Sequence, residues 1–379
     1  MTIVTIQSGD SLYSIAKRFG VSIDQLVAAN GIDPHRYLVI GDSLIIPAPE
    51  EPEKKLWVNG FAYPFIDRKT LQKTLPYLTS LSIFSYGLEE DGDLEEPEGD
   101  RPLIRMAKEA GVAPLLVLTT VDESGGFNAR KAAALLENKG AWAHLAEELK
   151  ETIAEKGYYG INVDLEYIPA ALGQAYIDLI AYLKEKLAPH PVWVSLAPKS
   201  SSDQQGPLYE GLRYRGLGEA ADAATVMTYE WGHTFGPPMA VSPIEQVDQV
   251  LRYALTEIPA EKLLMGLPNY GYDWRLPYEK GYPARSVGNH EAVALARKYG
   301  ARILYDETAQ APNFRYYDRH GSQHEVWYED ARSYQAKLAL AQKYDLFGIS
   351  IWNIMRFYQP LYTLLKGSFD IVKIDKNDL

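Results

Sequence analysis

In the run Tyr159-Gly160-Ile161-Asn162-Val163-Asp164-Leu165-Glu166-Tyr167, apolar residues alternate with an amide and two carboxyl groups. Side chains on a strand alternate between its faces. Asn162, Asp164 and Glu166 therefore point one way, and Ile161, Val163 and Leu165 the other. Glu166 falls near the end of the strand, with Pro169 soon after it. Two carboxyl groups held this close cannot both ionise freely, so one should have a raised pKa and be able to donate a proton. Cleavage of a glycosidic bond needs such an acid. The same alternation also fits an ordinary half-solvated sheet edge, and the surroundings of the run decide between the two.

Those surroundings belong to a chain of 379 residues, 46% of them hydrophobic, which is room for about two domains with a large core. There is no cysteine, which excludes disulfides and thiolate metal sites. The seven histidines show no metal-binding spacing, and no metal or cofactor is expected. A net charge of -12 disfavours nucleic acid and anionic membranes but allows neutral polymers such as glycans. The 27 tyrosines and seven tryptophans offer many flat apolar faces with a polar handle, on which sugars stack. No apolar stretch is long enough to span a bilayer. Met1–Ile6 lacks a basic n-region followed by a long apolar segment, so no signal peptide is expected. We expect the chain to act as a monomer.

Residues 1–48 form a small unit of their own. A short strand at Val4–Ile6 leads through the Gly9-Asp10-Ser11 turn into a helix carrying Leu12, Ile15, Ala16 and Phe19. A second helix runs from Ser22 to Asn30-Gly31, and Leu44–Ile46 closes as a strand. This βααβ unit resembles the LysM module through Gly9-Asp10-Ser11-Leu12, Ile15-Ala16, Phe19-Gly20-Val21, Leu26, Asn30, Leu38, Gly41-Asp42-Ser43-Leu44 and Ile46-Pro47. The resemblance implies binding of N-acetylglucosamine-containing chains, in chitin or peptidoglycan. Their sugar would lie between the Gly9–Leu12 turn and the Asn30–Asp33 loop, with Gly9, Asp10, Ser11, Asn30 and Ile32 as contact residues. A single module should bind weakly, because avidity comes from linked copies.

Residues 49–55 are charged and Pro-rich, as a linker would be. Over 56–370 short apolar segments alternate with amphipathic helical ones. Strand candidates lie at 56–62, 80–85, 113–119, 160–166, 192–197, 223–229, 262–267 and 346–352. Eight β/α repeats indicate an α/β fold, a TIM (β/α)8 barrel. Residues 274–326, before the last strand, read as a small α+β insertion with one helix at 289–299. In such barrels catalytic residues sit at the C-terminal ends of strands. That end gathers Glu166, Tyr229, Glu230, Asn269, Tyr270, Tyr272, Trp274 and Trp352, a set of carboxylates and rings suited to a carbohydrate.

From about Trp57 to Leu365 the chain resembles glycoside hydrolase family 18. Its DGxDxDxE signature reads here as Tyr159-Gly160-Ile161-Asn162-Val163-Asp164-Leu165-Glu166, with the last two acids kept and the first two replaced by Tyr159 and Asn162. Its M-x-Y-D motif appears as Met227-Thr228-Tyr229-Glu230, and its pocket tryptophan as Trp352. Ser124-Gly125-Gly126 is similar to its S-x-G-G run but lies beyond the third strand. The resemblance implies substrate-assisted retaining hydrolysis, in which the sugar's own N-acetyl oxygen replaces an enzyme nucleophile. Glu166 would protonate the leaving oxygen and then activate water. Asp164 would accept the acetamido N–H, and Tyr229 would donate to its carbonyl. Trp352 would form the floor. Asn162 would hold Asp164 by a hydrogen bond, leaving the pKa of Asp164 to depend mainly on Glu166 and the ligand.

LysM with this barrel and no visible signal peptide resembles the spore cortex-lytic N-acetylglucosaminidases of endospore-forming bacteria. That resemblance implies action on cortex peptidoglycan during germination, in the cortex and coat region of the spore. A chitinase of the same mechanism is one rival. A non-catalytic, lectin-like wall protein is another, against which the presence of Glu166 counts. A scaffold in which the LysM unit does the work is a third.

Overall fold

The computed structural model describes residues 1–48, 52, 54–89, 91–121 and 125–379. Most of the 49–55 segment and Ser124 therefore lie outside the described residues. In the N-terminal unit, strands Thr2–Thr5 and Ser43–Ile46 pair antiparallel, with Thr2 opposite Ile46. Helices Leu12–Phe19 and Ile23–Asn30 pack on them. Each helix begins with a reciprocal capping box, Ser11 with Ser14 and Ser22 with Gln25, which satisfies otherwise orphaned N–H groups. Ile6, Leu12, Ile15, Leu26, Leu44 and Ile46 form its core.

Eight parallel strands close into a barrel. In chain order they are Lys55–Ala62, Ser80–Leu88, Ala113–Thr119, Gly160–Asp164, Val192–Leu196, Ala223–Val226, Leu263–Pro268 and Gly348–Trp352, and the last pairs with the first. All seven residues of the third strand are buried, as a strand covered on both faces requires. All eight strand candidates are found. The fourth strand stops at Asp164, so Glu166 lies in the loop just after it rather than in the strand itself. Between the seventh strand and helix Ala331–Lys343 stands a five-stranded antiparallel sheet ordered Arg285–Val287, Gly271–Leu276, Gln323–Trp327, Ala311–Tyr317, Leu304–Asp306, with helix Asn289–Tyr299 against it. Its pairing of Gly271–Leu276 with Gln323–Trp327 starts at Tyr272, so Tyr272 and Trp274 belong to this sheet.

The N-terminal unit is docked on the rest of the chain. Ile45 joins the main barrel core, and Val39 joins the core of the inserted sheet. The Arg332 guanidinium reaches from the barrel to the Gly41 carbonyl (3.0 Å) and Thr5 Oγ1 (3.2 Å) while paired with Asp330. Gly41 has φ 86°, and a Cβ there would stand 1.8 Å from the Ile303 carbonyl oxygen, so only glycine permits this approach. Asp42 is buried in the same contact. Burial, and next the charge of Asp330, push its pKa up to about 7. A carboxyl raised in the folded state stabilises fully below its unfolded pKa, and that contribution is lost as pH rises toward 7. Asp42→Asn is therefore expected to raise unfolding stability at pH 8 by about 1 to 3 kcal/mol and to flatten its dependence between pH 4 and 7. Thermal melts across that range would show it; a variant less stable than the parent at pH 8 would contradict it.

Candidate active site

At the C-terminal end of the barrel lies a cavity of about 940 Å³. Asp164 at the tip of the fourth strand, Glu166 beyond it, Tyr229 and Glu230 after the sixth, and Trp352 at the end of the eighth all line it. Asp164 is buried, and no hydrogen-bond partner reaches its Oδ1. Burial first, and Glu166 second, hold its pKa well above the usual carboxylate range. Burial, followed by repulsion from Glu230, pushes Glu166 up to about 7. Two desolvated carboxyls in one cleft retain a proton into the neutral range, as a general acid must. The Tyr229 ring is buried against the cleft wall, and burial followed by Asp164 raises its pKa, so its hydroxyl stays a donor. Tyr167, after Glu166, and Glu230, after Tyr229, have φ of 58° and 68°. Such backbone costs about 1–3 kcal/mol per residue with a side chain and clusters at functional sites.

Asn162 behaves otherwise than expected. Its Oδ1 accepts from Ser195 Oγ at 3.2 Å, while its Nδ2 is buried without a partner and makes no bond to Asp164. The pKa of Asp164 is accordingly governed by burial before Glu166. Glu230 is a third carboxyl of the cleft. It accepts hydrogen bonds from Tyr270 and Tyr272 (3.0 Å for the latter), which partly offset the upward push of burial. Because its charge raises the pKa of Glu166, Glu230→Gln is expected to move the basic limb of the kcat/KM profile to lower pH by about one unit. An unmoved or upward-moved limb would remove Glu230 from this role.

Trp274 does not line the catalytic cavity. It is 1% exposed, and its Nε1 donates to the Gly236 carbonyl at 2.8 Å, behind Tyr272. Asn269 gives its amide hydrogens to the carbonyls of Asn353 (3.0 Å) and Arg356 (2.7 Å), so it shapes the rim and its Nδ2 is occupied. In the N-terminal unit Asn30 is 1% exposed and bonded to the backbone of Leu26 and Ile45, which makes it a structural residue. Ser11 caps its helix, and Asp10 accepts from the Gln7 N–H and pairs with Arg18 at 3.6 Å. Gly9 is exposed. Ile32 packs on the unit's core and lines a cavity of about 210 Å³ completed by His290 and Arg297 of the insertion's helix and by Tyr358 of the barrel.

The sequence reading missed the ring cluster facing Trp352: Phe61, Tyr63 and Phe84 each meet that ring edge-on at 5.1–6.1 Å, and Phe65 stacks on Tyr63 at 5.1 Å. The signal was present as Phe61, Tyr63 and Phe65, which alternate across the end of the first strand.

The fold and this cleft define a glycosidase of the (β/α)8 class, and the chain belongs to the glycosyl hydrolases family 18. The family profile matches residues 124–356, and the LysM domain profile matches residues 4–47. The chain is 38% identical to the cortical fragment-lytic enzyme of Bacillus subtilis over 98% of its own length and 99% of that protein's. The spore cortex-lytic enzyme SleL of Bacillus cereus superposes with a TM-score of 0.94 at 32% identity, over 98% of both chains. A chitinase from Chromobacterium violaceum superposes with a TM-score of 0.75 at 26% identity, over 82% of this chain and 98% of that one.

Proposed function

We propose that this protein hydrolyses β-linked N-acetylglucosamine in spore cortex peptidoglycan during germination, with retention, and acts at the spore cortex. The observation that carries the reading is Glu166, whose pKa burial and Glu230 raise to about 7, beside buried Asp164 in a ring-lined cleft. Full-length likeness to cortex-lytic enzymes supports the substrate.

In this reading the sugar sits over Trp352. Its acetamido oxygen attacks the anomeric carbon while Glu166 delivers its proton to the departing oxygen. Asp164, as carboxylate, accepts the acetamido N–H and stabilises the positive ring that forms. Tyr229 donates to the acetamido carbonyl. Glu166, now a base, takes a proton from the water that opens the intermediate. The N-terminal unit holds glycan through its exposed Gly9–Ser11 turn, and docking to the barrel fixes that turn relative to the cleft. Among the described residues no helix is long and apolar enough to cross a membrane.

Digestion of purified cortex, with products identified by mass and anomeric form, tests the reading. N-acetylglucosamine at the new reducing ends, initially as the β anomer, is expected. Muramic acid at those ends, or the α anomer first, would refute it. The likeness to a chitinase favours a second reading, and faster turnover of chitin oligomers than of cortex fragments would select it.

A further inference from the structure

The catalytic cavity continues into a second one of about 360 Å³, with Tyr63, Phe65, Glu230 and Trp352 lining both. Charge divides the two. Among the described residues, the lining of the first includes four carboxyl residues, Glu98, Asp164, Glu166 and Glu230, and no Lys or Arg. The second adds one cation, Arg356, four residues past Trp352.

Arg356 is held in place without being neutralised. Its carbonyl accepts from the buried Asn269 amide at 2.7 Å. Its stem lies on Gly288, where a Cβ would come 2.9 Å from the Arg356 Cδ. The guanidinium makes one long hydrogen bond, 3.4 Å to Ser286 Oγ, and no ion pair among the described residues. The nearby Glu291 makes its close ion pair with Arg285 and feels the charge of Arg356 more weakly. A guanidinium presents five N–H donors in a planar fork that fits a carboxylate with two parallel bonds. In a chain of net charge -12, an exposed arginine that lines this cavity and bonds Ser286, another of its lining residues, is placed for a ligand.

We infer that Arg356 selects glycans carrying a carboxylate next to the N-acetylglucosamine seated over Trp352. The carboxylate is either on the ether substituent of the neighbouring sugar or on a short peptide attached to it. The inference rests on the proposed glycan-hydrolysing reading and sharpens its substrate.

The test is equilibrium binding of three tetrasaccharides to full-length Glu166→Gln and to the same protein carrying Arg356→Gln. The first is chitotetraose. The second alternates N-acetylglucosamine with N-acetylmuramic acid bearing its free lactyl carboxylate. The third has that carboxylate capped by L-Ala-D-Glu. The readout is the ratio of each acidic ligand's affinity to that of chitotetraose, which a general loss of fold or cleft shape does not move. Arg356→Gln is expected to lower this ratio about tenfold for one of the acidic ligands, in line with loss of a charge-assisted bidentate contact. Whichever ligand shows the drop identifies the carboxylate read. Arg356→Lys should recover part of it, keeping charge without the fork. Ratios unchanged for both acidic ligands would overturn the inference. Hydrolysis of the three by the unmodified protein is scored separately. Failure to cleave any of them would refute the glycosidase reading, while the binding ratios still decide the role of Arg356.

Discussion

Glu166→Gln is expected to lower kcat by about 10²–10⁴-fold while leaving glycan binding in place, because general acid–base assistance contributes about that much. Glutamine keeps the size and hydrogen-bonding reach of the side chain but cannot deliver a proton. The loss has a diagnostic shape. In the first step the proton is needed only when the departing oxygen is basic. On an aryl glycoside whose phenolate leaves without help, the bond-breaking step should be nearly normal, and the defect should move to the water-attack step, where Glu166 acts as base. A burst of released phenolate followed by slow turnover would display this. Equal loss with no burst on activated and natural substrates would mean that another group supplies the proton. The wild-type kcat/KM should itself fall as pH rises through about 7, where Glu166 deprotonates.

Asp164→Asn is the second large effect, a fall of about 10²–10³-fold in kcat, the usual result of removing one pre-placed electrostatic stabiliser. Asparagine can still accept an N–H, but it brings no negative charge to the cation that forms during attack. The same substitution should not destabilise the fold. Asp164 is buried, and its pKa is held well above the carboxylate range by that burial and by Glu166. Ionising it thus works against the folded state as pH rises, and a neutral amide removes that cost. At pH 8 the variant should melt no lower than the parent, a separation of activity from stability found where sites carry uncompensated polar groups. A variant that loses activity and also melts well below the parent would indicate a packing role. Wild-type turnover of a de-N-acetylated glycan at a rate equal to the acetylated one would remove the substrate-assisted step that Asp164 serves.

Much of the site was readable because its logic is local. Alternation with period two placed Asp164 on the inward side of the fourth strand. The spacing of turn and apolar residues in Gly9–Phe19 and Ser22–Gly31 placed the two N-terminal helices, which the structure caps at Ser11 and Ser22. What was misread involves partners distant in sequence. Trp274 and Tyr272 lie two residues apart on one strand, yet Tyr272 reaches Glu230 while Trp274 turns to the Gly236 carbonyl. Asn30 and Asn269 are amides beside the proposed glycan-binding loops, and each is drawn inward by carbonyls that no local pattern announces.

By itself the sequence determined the kind of elements, their order, and the pair of acids at the tip of the fourth strand and just beyond it, since periodicity, capping and turn chemistry act over a few residues. Only the tertiary structure decided that Glu230 stands as a third charge beside Glu166, that rings from the first two strands gather around Trp352, and that the N-terminal unit is clasped by Arg332. Those outcomes depend on burial and on charges brought together by barrel closure. Desolvation is a property of the whole surrounding volume, which a linear pattern does not contain.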